Sequence, residues 1–449
     1  MRLAMFGPIC HTGGSSAMSL YDVVEEWLRS GHEIDFYSLG SWIDPAGLVA
    51  WPRFRYTGVP LASRSAFLDR YVEGVERSAI RPRVARAALV GALSHVRRAA
   101  HEAALYAEIE REHARRPYDA FVSMNTTCTS GLGATMPVVS WTQGAPGGEG
   151  DFIRRERALV RDECGWTGWA ILRGGYLVKD AAEARIHERS SHLIVGSEWS
   201  RGLWERAGAP LDRLSVLPFP VNVSRFRATG HAADPNRFVF LWLGRIVPRK
   251  RFPLALEAFH KLRARRPGAR FVIAGAFGYR EIVPKYRLPE LGPGVEYLGN
   301  VSSDAVPALL ESANVIFQPS ENENFGSAPI EGLACGIPSV IGPSNGVSEF
   351  VRETAFRFEE YTTSDVARAM EAAMDAVLAD PLTIARRARA LAEETLSTPV
   401  VARRAAELVA HTAERWHAAR GRTARRANPT EDVSLATPAP APSARDARP

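Results

Sequence analysis

Two glutamates, Glu323 and Glu331, stand eight positions apart in the run S-E-N-E-N-F-G-S-A-P-I-E-G-L-A-C-G-I-P-S-V. The first falls on a loop after an apolar strand, Asn314 to Gln318, and the second projects from a helix that opens near Gly326. Both acids can therefore face one ligand. A helix N-terminus leaves its first N–H groups unpaired and carries the positive end of the helix dipole, so the amides of Asn324, Phe325, Gly326 and Ser327 favour a phosphate. Pro329 suits the first turn, where its missing donor costs little. Three ligand parts are served. A loop carboxylate can accept from sugar hydroxyls, a carboxylate inside the helix can hold ribose hydroxyls, and the amides between them can hold a diphosphate. Taken alone, two acids at this spacing are more often solvated side chains, so the reading depends on their surroundings.

A second constellation lies upstream, where the strand Phe238 to Leu243 runs into G-R-I-V-P-R-K-R-F. The loop leaving a strand's carboxyl end is where a doubly wound sheet places anionic ligands. Arg245 offers a two-pronged guanidinium and Lys250 a compact charge. Of the 56 basic residues only four are Lys (Lys179, Lys250, Lys261, Lys285), so a Lys in this loop is not filler from a chain that otherwise uses Arg. The competing reading is a solvated basic turn before a helix. A third element is the strand Leu3 to Phe6 leading into G-P-I-C-H-T-G-G-S-S-A and an amphipathic helix from about Ser16 to Ser30. Gly13 and Gly14 carry no Cβ and could let the backbone approach a phosphate. Such turns open most doubly wound domains.

Asn-Phe-Gly between the two acids, then Ala-Cys-Gly before the apolar strand Pro338 to Ile341, resembles the donor-site signature of retaining glycosyltransferases of family 4. The G-R-x4-K pattern of Gly244, Arg245 and Lys250 resembles that family's upstream motif, and the resemblance covers residues 1 to about 418. It is strong from Leu241 to Val351 and loose from about Ala46 to Arg116. The resemblance implies an α/β fold of the GT-B type, two Rossmann-like domains facing each other across a cleft. It implies a hexose moved from a UDP- or GDP-sugar to a glycan, lipid-linked or small-molecule acceptor with the anomeric configuration retained, without metal or cofactor. It assigns Glu323 to the sugar hydroxyls, Arg245 and Lys250 to the diphosphate, and Glu331 to the ribose. Gly244, Asn300, Val301 and the segment Asn324 to Ser327 join the donor site, with Gly13 and Gly14 approaching from the opposite domain.

One departure concerns the N-terminal domain, where many members carry a His after the strand matching Pro137 to Trp141. This chain reads P-V-V-S-W-T-Q-G-A-P-G-G-E, so Gln143, or else Trp141, stands there. A Gln can donate a hydrogen bond but cannot titrate. In retaining transfer the leaving phosphate itself can take the acceptor proton, so the loss need not abolish activity. Residues Gln143 to Asp151 read as a mobile acceptor loop. Two other readings stand beside transfer: a sugar-nucleotide epimerase of the same fold, and a non-catalytic sugar-nucleotide-binding protein.

The composition is that of an ordinary globular protein, 46% apolar over 449 residues, and that length exceeds what one hydrophobic core fills. No apolar run reaches the roughly 18 residues that span a bilayer, which points to the cytoplasm. Cys10, Cys128, Cys164 and Cys335 show neither disulfide nor zinc spacing. Strands alternate with amphipathic helices in the manner of parallel sheets. The polar run R-A-T-G-H-A-A-D-P-N-R divides an acceptor-binding domain, residues 1–228, from a nucleotide-sugar-binding domain, residues 229–395. A final helix over 396–418 is expected to cross back to the first domain, and an Arg/Ala/Pro-rich tail over 419–449 is expected to be disordered. The Arg- and Trp-bearing stretches of the first domain could touch the inner face of a membrane, although solvated helix faces are the commoner use of such charge. The net charge of +6 does not call for a nucleic-acid partner.

Overall fold

The computed structural model describes residues 1–10, 15–38, 46–59, 102–124, 132–142, 144–227, 233–278 and 289–427. Seven strands form the first sheet: β1 (Arg2–Phe6), β2 (Glu33–Ser38), β3 (Phe54–Gly58), β4 (Ala120–Met124), β5 (Val138–Thr142), β6 (His192–Val195) and β7 (Leu214–Val216). They run parallel in the order β3-β2-β1-β4-β5-β6-β7. Six more strands form the second: β8 (Val239–Leu243), β9 (Arg270–Ala274), β10 (Val295–Gly299), β11 (Val315–Gln318), β12 (Ser339–Ile341) and β13 (Ala355–Arg357). Their order is β10-β9-β8-β11-β12-β13, again parallel. β1, β4, β5 and β11 are buried at every position, because helices cover both faces of a parallel sheet. Two Rossmann-like α/β domains result, the architecture the sequence predicts.

In each sheet the strand order reverses beside the first strand, between β1 and β4 and again between β8 and β11. Such reversals open a crevice beyond the carboxyl ends of the strands, and this is where open α/β sheets bind ligands.

The last helix, Thr398–Ala427, lies on the first domain, where Trp27 donates its indole N–H to the Ala402 carbonyl at 2.8 Å. Val401, Ala402, Ala405 and Val409 extend the core built by Leu20, Val24 and Trp27. The helix continues to Ala427, so residues 419–427, expected from the sequence to belong to a disordered tail, are helical. Ala, Arg, Thr and a lone Gly421 do not break a helix already docked along its length; residues 428–449 lie outside the described residues. The expected acceptor loop is likewise only partly a loop, because Gly148–Arg155 forms a helix.

Candidate functional site

β8 ends at Leu243 and the chain turns at Gly244, which packs backbone on backbone against Gly275 at the end of the neighbouring β9. A Cβ at Gly275 would stand 2.0 Å from the Gly244 carbonyl oxygen, so no larger residue fits there. The turn feeds a short 3-10 helix, Pro248–Lys250, with proline in its first position and Arg251 closing it at a left-handed φ of 56°. That geometry sends Arg249 and Lys250 inward, with side chains only 12% and 11% exposed. Arg245 instead stays exposed on the cleft wall.

The acid loop follows β11. Glu323 is fixed through its backbone, donating to the Ser344 carbonyl at 3.0 Å and accepting from Gly346 at 2.9 Å. Its carboxylate is buried and accepts from Arg249 at 2.7 Å and from Lys250 at 3.2 Å. Burial alone would raise this carboxyl, but the adjacent Arg249 and Lys250 outweigh it and hold the pKa at about 2. For Lys250 burial dominates and lowers the ammonium, with Arg249 and Arg245 adding to the effect and Glu323 opposing it. The helix Ser327–Ala334 begins after Gly326, whose φ of 92° and ψ of 96° leave its first amides with no side-chain cap. A Cβ on Gly326 would meet the Gln318 side chain at 3.0 Å and Asn345 at 3.1 Å. Glu331 is buried inside this helix.

Glu323, Arg245, Lys250, Gly244, Asn300, Val301, Asn324, Phe325, Gly326, Ser327 and Glu331 all line one cleft of about 830 Å³ between the domains. Gly13, Gly14 and Gln143 lie outside the described residues. Phe325 is also part of an interdomain aromatic run, its ring 5.6 Å from Phe219, which stacks on Trp141 at 5.9 Å. Among the described residues no group of His, Cys, Asp or Glu is placed to hold a metal ion.

Three features were not legible in the sequence. Arg249, rather than Lys250 alone, anchors Glu323. Glu149, in the first turn of the helix Gly148–Arg155, reaches the same cluster from the first domain, 3.5 Å from Arg249. The acid loop is gripped from the first domain: Asn322 donates to the Gly148 carbonyl at 2.8 Å, Arg155 pairs with buried Glu321, and Ser197 and Ser200 donate to the Asn324 carbonyl at 2.9 and 3.0 Å. The run S-E-N-E-N is polar throughout, but nothing in it names the partner segment.

Residues 226–392 match the family described as glycosyl transferases group 1. That segment contains both acids, both cations and the capless helix. A D-inositol 3-phosphate glycosyltransferase of Pseudarthrobacter chlorophenolicus is 29% identical over 232 residues, 48% of this chain and 54% of that protein. A GDP-mannose-dependent alpha-(1-6)-phosphatidylinositol dimannoside mannosyltransferase of Mycobacterium tuberculosis is 28% identical over 180 residues, 38% and 46% of the two chains. The match thus spans about half the length of these curated relatives. The fold likeness reaches further. Anabaena HepE, crystallised with UDP and glucose, superposes with a TM-score of 0.57 at 16% identity over 92% of this chain and 100% of that one. Sucrose-phosphate synthase from Thermosynechococcus elongatus gives 0.60 at 16% identity, over 91% and 98%. The matched segment holds the second sheet and the cleft wall bearing Glu323, and the fold likeness extends over the first domain as well.

Proposed function

We propose that this chain is a glycosyltransferase that moves a hexose from a nucleotide-diphosphate sugar to a glycan, lipid-linked or small-molecule acceptor with retention of configuration. The observation that carries the reading is the buried Glu323, Arg249 and Lys250 cluster in the interdomain cleft, next to uncapped helix amides and Glu331. Glu323 takes the sugar hydroxyls, Glu331 the ribose, and the amides after Gly326 a phosphate. The acceptor oxygen bonds to the anomeric carbon as the bond from that carbon to the phosphate oxygen breaks, and the acceptor proton passes to the leaving diphosphate. Arg245 and Lys250 neutralise the charge that develops on it, so this reading requires neither a metal nor a cofactor. Relatives named for GDP-mannose and a fold neighbour holding UDP support a UDP- or GDP-sugar donor.

The relatives named for inositol phosphate and phosphatidylinositol mannosides support a polyol or lipid-linked acceptor bound by the first domain. Among the described residues no helix is long and apolar enough to cross a membrane. In this reading the enzyme works in the cytoplasm, and any contact with the inner membrane face runs through exposed Trp166, Leu177 and Val178 on the helix Arg157–Glu183. The test is a thermal-shift screen of UDP-, GDP- and ADP-sugars, followed by product analysis with acceptors. One nucleotide sugar is expected to raise the melting temperature, by mass action on the folded state. A glycosylated product with the donor's anomeric configuration is expected from it. Conversion of the donor alone into an epimer, or binding without turnover of any acceptor, would overturn the proposal.

A further inference from the structure

Gln318 ends β11, the strand beside which the second sheet reverses its order, between β8 and β11. Two positions earlier on the same face of the strand, Ile316 packs into the apolar core. Gln318 itself is only 4% exposed, yet it lines the cleft with Glu323, Gly326 and Glu331. Its Oε1 is buried and has no hydrogen-bond partner. An apolar residue would fill this place without that cost, since a buried amide left unpaired forfeits the hydrogen bonds it made to water. Buried polar groups in native proteins are nearly always satisfied, so an exception that faces a cleft points to a ligand.

We propose that Gln318 hydrogen-bonds a hydroxyl of the transferred sugar and is a specificity-determining residue of the donor site. The assignment rests on the nucleotide-sugar reading above. Position favours the sugar over the rest of the donor. The place a Cβ would take on Gly326 lies 3.0 Å from Gln318 Oε1 and 3.4 Å from Glu323 Cγ, so the amide sits beside the acid that serves the sugar. The diphosphate has Arg245 and Lys250, and a neutral carboxamide adds little to two cations. A hydroxyl both donates and accepts, and a carboxamide presents the matching acceptor and donor. Sites built on such a bond reject analogues that lack the hydroxyl more strongly than apolar pockets can. Gly326 is part of the same device, because any side chain there would press on the amide.

Calorimetry on the full chain tests this with four probes: UDP, UDP-glucose, GDP and GDP-mannose, against wild type and Gln318→Leu. For the nucleotide that wild type binds, the Leu variant is expected to hold the free diphosphate within about twofold and to lose about tenfold in affinity for the sugar conjugate, the scale of one hydrogen bond. Gln318→Glu, which keeps an acceptor oxygen at this place, is expected to recover part of that loss. Should the Leu variant fail to fold, Gln318→Met carries the same comparison at nearly unchanged side-chain length. Equal losses for conjugate and free diphosphate would move the contact to the nucleotide and overturn the assignment. No loss for either would make Gln318 a purely structural residue and overturn it as well. A wild-type protein that binds none of the four probes would sink the UDP- or GDP-sugar reading itself, a failure distinct from the other two.

Discussion

Glu323→Ala is expected to lower sugar transfer by roughly 100-fold or more, about 2.7 kcal/mol of transition-state stabilisation, the scale seen when one preorganised charge partner is removed. The effect has two parts. The sugar loses its carboxylate contact, and Lys250 and Arg249 lose the anion that orients them, at 3.2 and 2.7 Å. Two cations then face each other in a buried pocket, so the variant is expected to be less stable as well as less active. Transfer per folded molecule, with the folded fraction measured by circular dichroism, separates the two. Turnover equal to wild type would remove Glu323 from the chemistry.

The same carboxylate gives the cleft an acid sensitivity with a defined sign. Its folded pKa of about 2 lies below the ordinary value of 4.5. Its contribution to stability is therefore fully present above about 4.5 and is lost as pH falls from there toward 2. Urea denaturation of wild type and Glu323→Gln should show a stability difference that is constant above that window and shrinks within it. A difference that grew on acidification would contradict the ion-pair geometry. Lys250 works the other way. Its lowered pKa means that burial of the ammonium costs stability below the ordinary value of 10.5, and Glu323 offsets part of that cost.

How much of this was readable in the sequence depends on whether the information was local. β11 and the helix Ser327–Ala334 could be placed because an apolar run, a Gly and a Pro at the first turn follow one another within a short segment. β3 and β13 could not. Both are edge strands with mostly half-buried or exposed residues, F-R-Y-T-G and A-F-R, so neither shows the apolar run of a central parallel strand. In R-K-R the residue types alone do not say which cations turn inward. The 3-10 turn and the left-handed Arg251 decide it, placing Arg249 and Lys250 on Glu323 and Arg251 on Glu321, which accepts from its Nε at 2.8 Å. Glu149, Arg155 and Asn322 act across the domain interface, where partners are more than 70 positions apart, so only the folded arrangement reveals them. Asn322 adopts a left-handed φ of 50°, tolerable for Asn and consistent with a loop held by its contacts and not by its own preference.

Lys250→Met is the complementary experiment, because it separates chemistry from folding. The methionine keeps most of the buried stem and removes an ammonium whose burial is unfavourable, while Glu323 keeps its bond from Arg249 at 2.7 Å. The variant is therefore expected to stay folded, with a loss smaller than the several kcal/mol that follow when a buried charge loses its sole partner, because Arg249 remains on Glu323. Activity should fall. In the proposed reaction buried Lys250 meets the departing diphosphate as it gains charge, and Arg245, exposed on the same cleft, is screened by water and cannot replace it. A drop of roughly 100-fold in kcat is expected at saturating donor, with a smaller change in KM, since the cation matters most as the bond breaks. Normal kcat with a raised KM would show that Lys250 binds the donor in the ground state only. An unfolded variant would show instead that the ammonium holds the acid loop together, with Glu323 and Lys250 forming one structural unit that Arg249 alone cannot sustain.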